Sequence, residues 1–206
     1  MLEADRTLEL LRRRAEALTR KPDRVVLGIA GPPGVGKTTL ATVLANALGA
    51  VVVGMDGFHL AQRELARLRL EHRKGAPETF DVFGFIELLR RIRSAPPTPV
   101  YAPIFDRGLE EPIAGAQLVD RDTRLVLVEG NYLLDDAPGW REVRSLLDEC
   151  WFIDADAHLL RERLIRRRIG YGDSVDDAAR WVDSVDSENA QRTRLSATNA
   201  DFRISL

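Results

Sequence analysis

Residues 25 to 48, VVLGIAGPPGVGKTTLATVLANAL, leave this chain few folds to choose from, because an apolar strand runs through a glycine loop directly into a helix. Gly31-Pro32-Pro33-Gly34-Val35-Gly36-Lys37-Thr38 matches G-x-x-x-x-G-K-[ST], and the flanking strand and helix supply the context that this spacing needs. Gly31, Gly34 and Gly36 admit backbone conformations and close approaches that a side chain would obstruct. The loop amides then converge on an anion at the positive end of the following helix. In that role Lys37 reaches the outer phosphates of ATP and the Thr38 hydroxyl ligates Mg²⁺, while Pro32, Pro33, Val35 and Thr39 complete the cradle. Only three lysines, Lys21, Lys37 and Lys74, stand among 30 basic residues, so a lysine at the motif position is not a by-product of composition.

The remaining pattern alternates strand and helix. Leu125-Val126-Leu127-Val128 between Arg124 and Glu129, and Cys150-Trp151-Phe152-Ile153 before Asp154, are apolar runs of the kind that parallel sheets bury on both faces. Val51 to Met55 reads as a further short buried strand ending in Asp56, and 201–205 as a last edge strand. Helices are predicted over 5–20 (Leu8, Leu11, Ala15 and Leu18 on one side), 82–93, 138–147, 156–169 and 174–193, and 60–72 is helix-prone until Arg73 to Asp81 breaks it. Residues 99–105 and 115–120 read as a β-hairpin outside the main sheet. The expectation is a three-layer α/β/α fold with a central parallel sheet, one domain over 1–206, and an arginine-rich helical lid at about 156–173.

Composition sets the compartment and excludes some partners. A net charge of −2, with 45% hydrophobic and 30% charged residues, gives no reason to expect a nucleic-acid or membrane surface. The N-terminus has scattered charges and no continuous apolar stretch, so the chain reads as cytoplasmic. Arg12 to Arg14 read as a solvated helix face. Cys150 is the only cysteine and reads as a core residue, and no cysteine or histidine spacing suits zinc. A homodimer is left open.

Phosphoryl transfer needs the triphosphate cradled, the metal held, the acceptor hydroxyl oriented and the developing charge neutralised. Glu129, closing an apolar strand, stands where a carboxylate binds Mg²⁺ directly or through a water, or reads as a strand-end acid facing solvent. Asp56 is the candidate base for the acceptor hydroxyl, although Asp56-Gly57 is also a common turn pair. On the helix RERLIRRR, Arg163, Arg166 and Arg167 share a face and Arg161 and Arg168 turn away. That helix reads as a lid over the phosphates or as a solvated charged face. His59, Tyr101, Arg107 and the Arg73–Lys74 segment are candidates for acceptor contacts.

With GPPGVGKTT, MDGFH, RKGAPETFD, VYAPIFD, VEGNYLL and the arginine-rich helix assembled, the chain resembles the phosphoribulokinase/uridine kinase group of P-loop kinases, which includes bacterial pantothenate kinases. It looks most like the fructose transport system kinase and pantothenate kinase-like proteins. The resemblance implies Asp56 as catalytic base and a lid arginine, Arg163 or Arg167, on the phosphates, with Arg167 also catalytic. Pantothenate kinases carry a V-Y-S-H-type segment where this chain has Val100-Tyr101-Ala102-Pro103, and a proline supplies no side-chain polar contact. The expected activity is therefore ATP- and Mg²⁺-dependent phosphorylation of a small-molecule hydroxyl on a sugar, a pantothenate-like compound or a nucleoside. The alternative is an ATPase switch acting on a protein partner. A guanine-specific switch is excluded, since none of the three lysines sits in an N-K-x-D-like context.

Overall fold

The computed structural model describes residues 2–205, with side-chain surroundings from Asp5 onward. Elements are numbered in chain order. Strand β1 (Val25–Ala30) is the centre of a five-stranded parallel sheet, flanked on one side by β5 (Leu125–Gly130) and then β2 (Val51–Gly54). On the other side lie β6 (Glu149–Asp154) and then β7 (Phe202–Ser205). The apolar runs exist because both faces of the sheet are covered. Val25, Leu27 and Ile29 point into one core with Leu11 and Ala15 of α1 (Leu2–Leu18) and Ala41 and Leu44 of α2 (Lys37–Leu48). Val26 and Val128 point into the other, with Phe85, Ile86 and Leu89 of α4 (Val82–Arg93) and Trp140 of α5 (Trp140–Ser145). Each Val, Leu, Ile or Phe among them contributes about 1.5–3 kcal/mol by leaving water.

Register decides what the sheet presents at its carboxyl edge. Ala30 pairs with Gly130, Ile29 and Gly54 both with Glu129, and Ala30 also with Phe152. The phosphate loop, Glu129 and the segment after β2 therefore emerge side by side, as ligand crevices of open parallel sheets require. Helix α2 ends at Gly49, whose φ of 63° supplies the left-handed C-cap. At its start α4 is capped by Asp81, whose carboxylate accepts from the Gly84 amide.

The hairpin β3 (Val100–Asp106) and β4 (Glu111–Val119) stands outside the main sheet, as expected. Several boundaries differ. Strand β2 is an edge strand in which only Val53 is fully buried, and it stops at Gly54. Met55 then drops into the core and Met55–Phe58 forms a 3₁₀ turn, so Asp56 lies on that turn rather than on a strand end. The helix expected over 60–72 is confined to α3 (Gln62–Leu68), ended by Arg69 at φ 59°. After α6 (Ala157–Gly170), the expected helix over 174–193 is α7 (Val175–Trp181), a π-helical turn (Val182–Asp186) and α8 (Ser187–Leu195) in succession. Arg12 and Arg13 do pair with Glu9 on the helix surface, but Arg14 reaches Glu149 at 2.9 Å and covers the Phe202 ring.

Arg24 is a buried structural clamp. Its guanidinium donates to the carbonyls of Ile92, Asp120, Arg121 and Thr123 at 2.8–2.9 Å, tying the end of α4 to the turn that starts β5.

Candidate active site

A cleft of about 460 Å³ opens at the carboxyl edge of the sheet. Its floor is the phosphate loop. A Cβ on Gly31 would sit 2.3 Å from the Ile153 carbonyl oxygen in β6, so only glycine lets the loop lie this close to the sheet. Gly36 holds φ 103° as it turns the chain into α2. Pro33, Gly34, Gly36, Lys37, Thr38 and Thr39 line the cleft, whereas Val35 packs into the core and Pro32 contributes its carbonyl.

Lys37 is buried at the first position of α2. Its ammonium donates to the carbonyls of Gly31 (2.9 Å) and Pro32 (3.0 Å) and to Asn131 Oδ1 (2.7 Å). Burial lowers its pKa to about 8 against the pull of Glu129 and Asp56, so the site holds a cation that an anionic ligand would stabilise. The Thr38 hydroxyl donates to Glu129 Oε1 at 3.1 Å. Burial, with Asp56 adding to it, raises Glu129 to about 7, and a bound cation would reverse that shift.

Asp56 faces the loop from the 3₁₀ turn, and its Oδ2 accepts from Arg107 Nη2 at 2.6 Å. Burial pushes its carboxyl up, but His59, Arg107, Lys37 and Arg167 together hold it below the usual range, so it is ionised. The His59 Nδ1–H donates to the Asp56 carbonyl at 2.8 Å, and its ring lies 4.0 Å from Phe80 and 4.9 Å from Phe105, centre to centre. Burial lowers the His59 pKa against the pull of the Asp56 carboxylate. Lys74 and Arg107 both stand over the Phe105 ring, at 5.2 and 4.9 Å. The base candidate thus sits between the phosphate loop and an aromatic and cationic wall.

Not every candidate joins the cleft. Tyr101 is exposed on β3 opposite Leu118, because strand alternation turns Val100 and Ala102 inward instead. Arg73 donates to Glu78 at 2.6 Å and lines a neighbouring hollow with His72. From α6, Arg163 and Arg167 line the cleft, but Arg166 does not. Arg168, expected to turn away, lines it, stacks on Trp181 at 4.4 Å and pairs with Asp173. Arg161 does turn away, to Asp183. Asn131, Asp186 and Asn189 also reach the cleft and were not anticipated. Asn131 could have been found as the polar residue two places after Glu129. Burial raises Asp186 despite Arg167 and Arg168 nearby.

Over residues 27–83 the chain matches the ATPase family associated with various cellular activities (AAA), the stretch that carries the phosphate loop and Asp56. It is 37% identical to the uncharacterized protein YggC of Escherichia coli over 190 residues, covering 89% of this chain and 78% of that one. A Schizosaccharomyces pombe protein provisionally named a uridine kinase is 32% identical over 170 residues, covering 77% of this chain and 72% of its own length. The chain belongs to the P-loop kinase family. A crystal structure of a Silicibacter sp. TM1040 protein, provisionally named a fructose transport system kinase, superposes with a TM-score of 0.87 at 37% identity, covering 96% and 98% of the two chains. As a P-loop kinase the protein is an ATP-dependent phosphotransferase for a small molecule. It spans only about half of pantothenate kinases such as that of Leifsonia xyli, 58% of which is matched at 30% identity.

The residues fit MgATP. The loop leaves no room for side chains at Gly31, Lys37 has only neutral oxygen acceptors, and Thr38 with Glu129 offers the hard oxygens that Mg²⁺ takes. Among the described residues no three His, Cys, Asp or Glu side chains converge, and Mg²⁺ bound largely through phosphates and water needs no such cage. Among the same residues no helix is long and apolar enough to cross a membrane.

Proposed function

We propose that this kinase transfers the γ-phosphoryl group of ATP to a hydroxyl of a small metabolite, with Asp56 as base. The observation that carries this reading is Asp56 itself: Arg107 occupies Oδ2, while no described donor takes Oδ1, in a cleft shared with Lys37, Thr38 and Glu129. Bound MgATP would supply the phosphoryl group and leave as ADP, with Mg²⁺ screening the charge that develops. Thr38 and Glu129 would hold the metal. Lys37 would exchange its carbonyl partners for phosphate oxygens, and Arg163 and Arg167 would close from α6 to exclude water. Asp56 would accept the acceptor's hydroxyl proton through Oδ1, while Arg107 fixes the carboxylate's orientation and keeps it ionised. His59, Lys74 and Arg107 would border the acceptor.

A nucleoside acceptor is a second reading, favoured by the His59–Phe80–Phe105 aromatic group at the acceptor side and by the relative named for uridine. Pantothenate fits less well, because Ala102 is buried and the Pro103 backbone packs on Gly57 where a polar side chain would be needed.

ADP release from MgATP across sugars, nucleosides, hydroxy acids and pantothenate, with Lys37→Ala as blank, tests the reading. One acceptor raising ADP release with matching phosphorylated product is expected, and Asp56→Asn should lower that rate about 10²–10⁴-fold. ATP binding without any acceptor response would defeat it.

A further inference from the structure

The π-helical turn brings two buried polar side chains into the cleft without giving them partners. Ala178, Val182, Asp186, Asn189 and Thr193 form the inward side of the chain from α7 to α8. Among these, Asp186 is 9% exposed and Asn189 is 5% exposed. Neither side chain accepts or donates a hydrogen bond to any described residue, although both line the cleft. They are not sealed in, since among the described residues no fully enclosed side-chain nitrogen or oxygen lacks a partner. Their polar atoms are therefore reached by solvent, at the cleft that both residues line and, for Asn189, also at the neighbouring hollow beside Arg73, while nine-tenths of each residue is held in place by packing. An unpaired buried carboxylate and carboxamide are costly unless a ligand completes them. A π turn at a ligand cleft is a common site for that compromise.

Asn189 stands on the acceptor side, and Asp186, one helical turn before it, lies near the lid arginines Arg167 and Arg168. Asn189 Nδ2 lies 3.8 Å from where a Gly75 Cβ would be, and Lys74 and Gly75 line the cleft beside Arg107 and His59. The chemistry of the pair narrows the ligand. An ammonium would meet Arg167 and Arg168, which are close enough to act on Asp186, and an anionic group would meet the Asp186 carboxylate itself. Neutral hydroxyls suit both: the carboxylate accepts from them, and the carboxamide both accepts and donates.

Resting on the kinase reading above, we infer that Asp186 and Asn189 are the acceptor-recognition pair and that the acceptor carries adjacent hydroxyls, a vicinal diol, beside the one that is phosphorylated or including it. A site built around hydroxyl hydrogen bonds rejects analogues that lack them far more strongly than an apolar pocket distinguishes sizes, because its own polar groups are then left bare.

The test uses matched acceptors: methyl β-D-ribofuranoside against its 2-deoxy analogue, uridine against 2′,3′-dideoxyuridine, and D-glycerate against 3-hydroxypropionate. Each is assayed by ADP release and by detection of the phosphorylated product. In the pair that the wild-type protein uses, the deoxy member should fall at least about 100-fold in kcat/KM. Asp186→Ala and Asn189→Ala should each raise the acceptor KM and shrink that discrimination to less than about 10-fold, with ATP affinity retained as the check on folding. If Asp186→Ala does not fold, Asp186→Leu, which fills the space without a hydrogen-bonding group, carries the same test. Equal turnover of diol and deoxy acceptors would overturn the inference and leave the kinase reading standing. So would variants that move the ATP KM and leave the acceptor KM unchanged, which would make Asp186 a partner of Arg167 instead. No acceptor-dependent ADP release from any pair would defeat the kinase reading, and this inference with it.

Discussion

Gly57→Ala probes the joint between the base candidate and the hairpin that holds Arg107 against it. A Cβ at position 57 would lie 2.5 Å from the Pro103 carbonyl oxygen and 2.8 Å from its carbonyl carbon. Both are backbone atoms of β3, so no rotamer change can clear them. Reaching an ordinary contact of 3.4 Å means that the 3₁₀ turn and β3 separate by nearly 1 Å. The Arg107–Asp56 bond is 2.6 Å long and spans this joint, so the same separation stretches it to about 3.5 Å, the outer limit of a hydrogen bond. Overpacking of this size costs about 1–3 kcal/mol, or roughly 2–12 °C in Tm for a chain of this length. Misplacing a catalytic group by about 1 Å costs about 10²-fold in rate. Gly170→Ala is the control, since nothing lies within 4 Å of its Cβ at the end of α6. That change should leave both readings near wild type. Thermal unfolding and acceptor-dependent ADP release would be measured on both variants. A Gly57→Ala protein with wild-type Tm and turnover would show that the turn and hairpin move freely against each other, and that Arg107 does not orient the base.

Three further outcomes follow from other parts of the fold. Arg24→Met removes four charge-assisted bonds to carbonyls around the start of β5, and should cost about 2–4 kcal/mol, visible as an earlier urea midpoint with unchanged slope. Lys37→Ala should lower ATP affinity in titration calorimetry and turnover by about 10²–10³-fold, because phosphate charge would lose its buried cation. Burial raises the Cys150 thiol well above its ordinary value, so between the two pKa values the unfolded chain loses a proton that the folded chain keeps. Stability should therefore fall as pH rises above about 8.5, and a thiol reagent at pH 8 should react with Cys150 only after denaturant unfolds the protein.

How far the sequence could be read depended on whether a residue's role is set by its neighbours in the chain or by what packs opposite. The phosphate loop, β1, β5 and α4 were legible because apolar runs, glycine positions and the Asp81 cap act locally; α4 begins at Val82 and ends at Arg93, the expected bounds. The exposure of Tyr101 was also within reach, since period-two alternation from the inward Val100 and Ala102 turns it out. Val51-Val52-Val53, in contrast, reads the same for an edge strand as for a central one, and only the pairing of β2 with β5 alone makes it an edge. The arginines of α6 show the same limit. A helical wheel groups Arg163, Arg166 and Arg167 but has no reference direction, and it is Trp181, from the next helix, that draws Arg168 to the cleft. Asp186 and Asn189 lay furthest from reach. A 3.6-residue period cannot register a π turn, and the mark of these two residues, polar groups buried without partners, does not exist until the helix has packed against the loop at Gly75. That is also why they bear on the acceptor: a polar group whose partner is supplied within the chain explains the fold, and one whose partner is missing has to be explained by what binds.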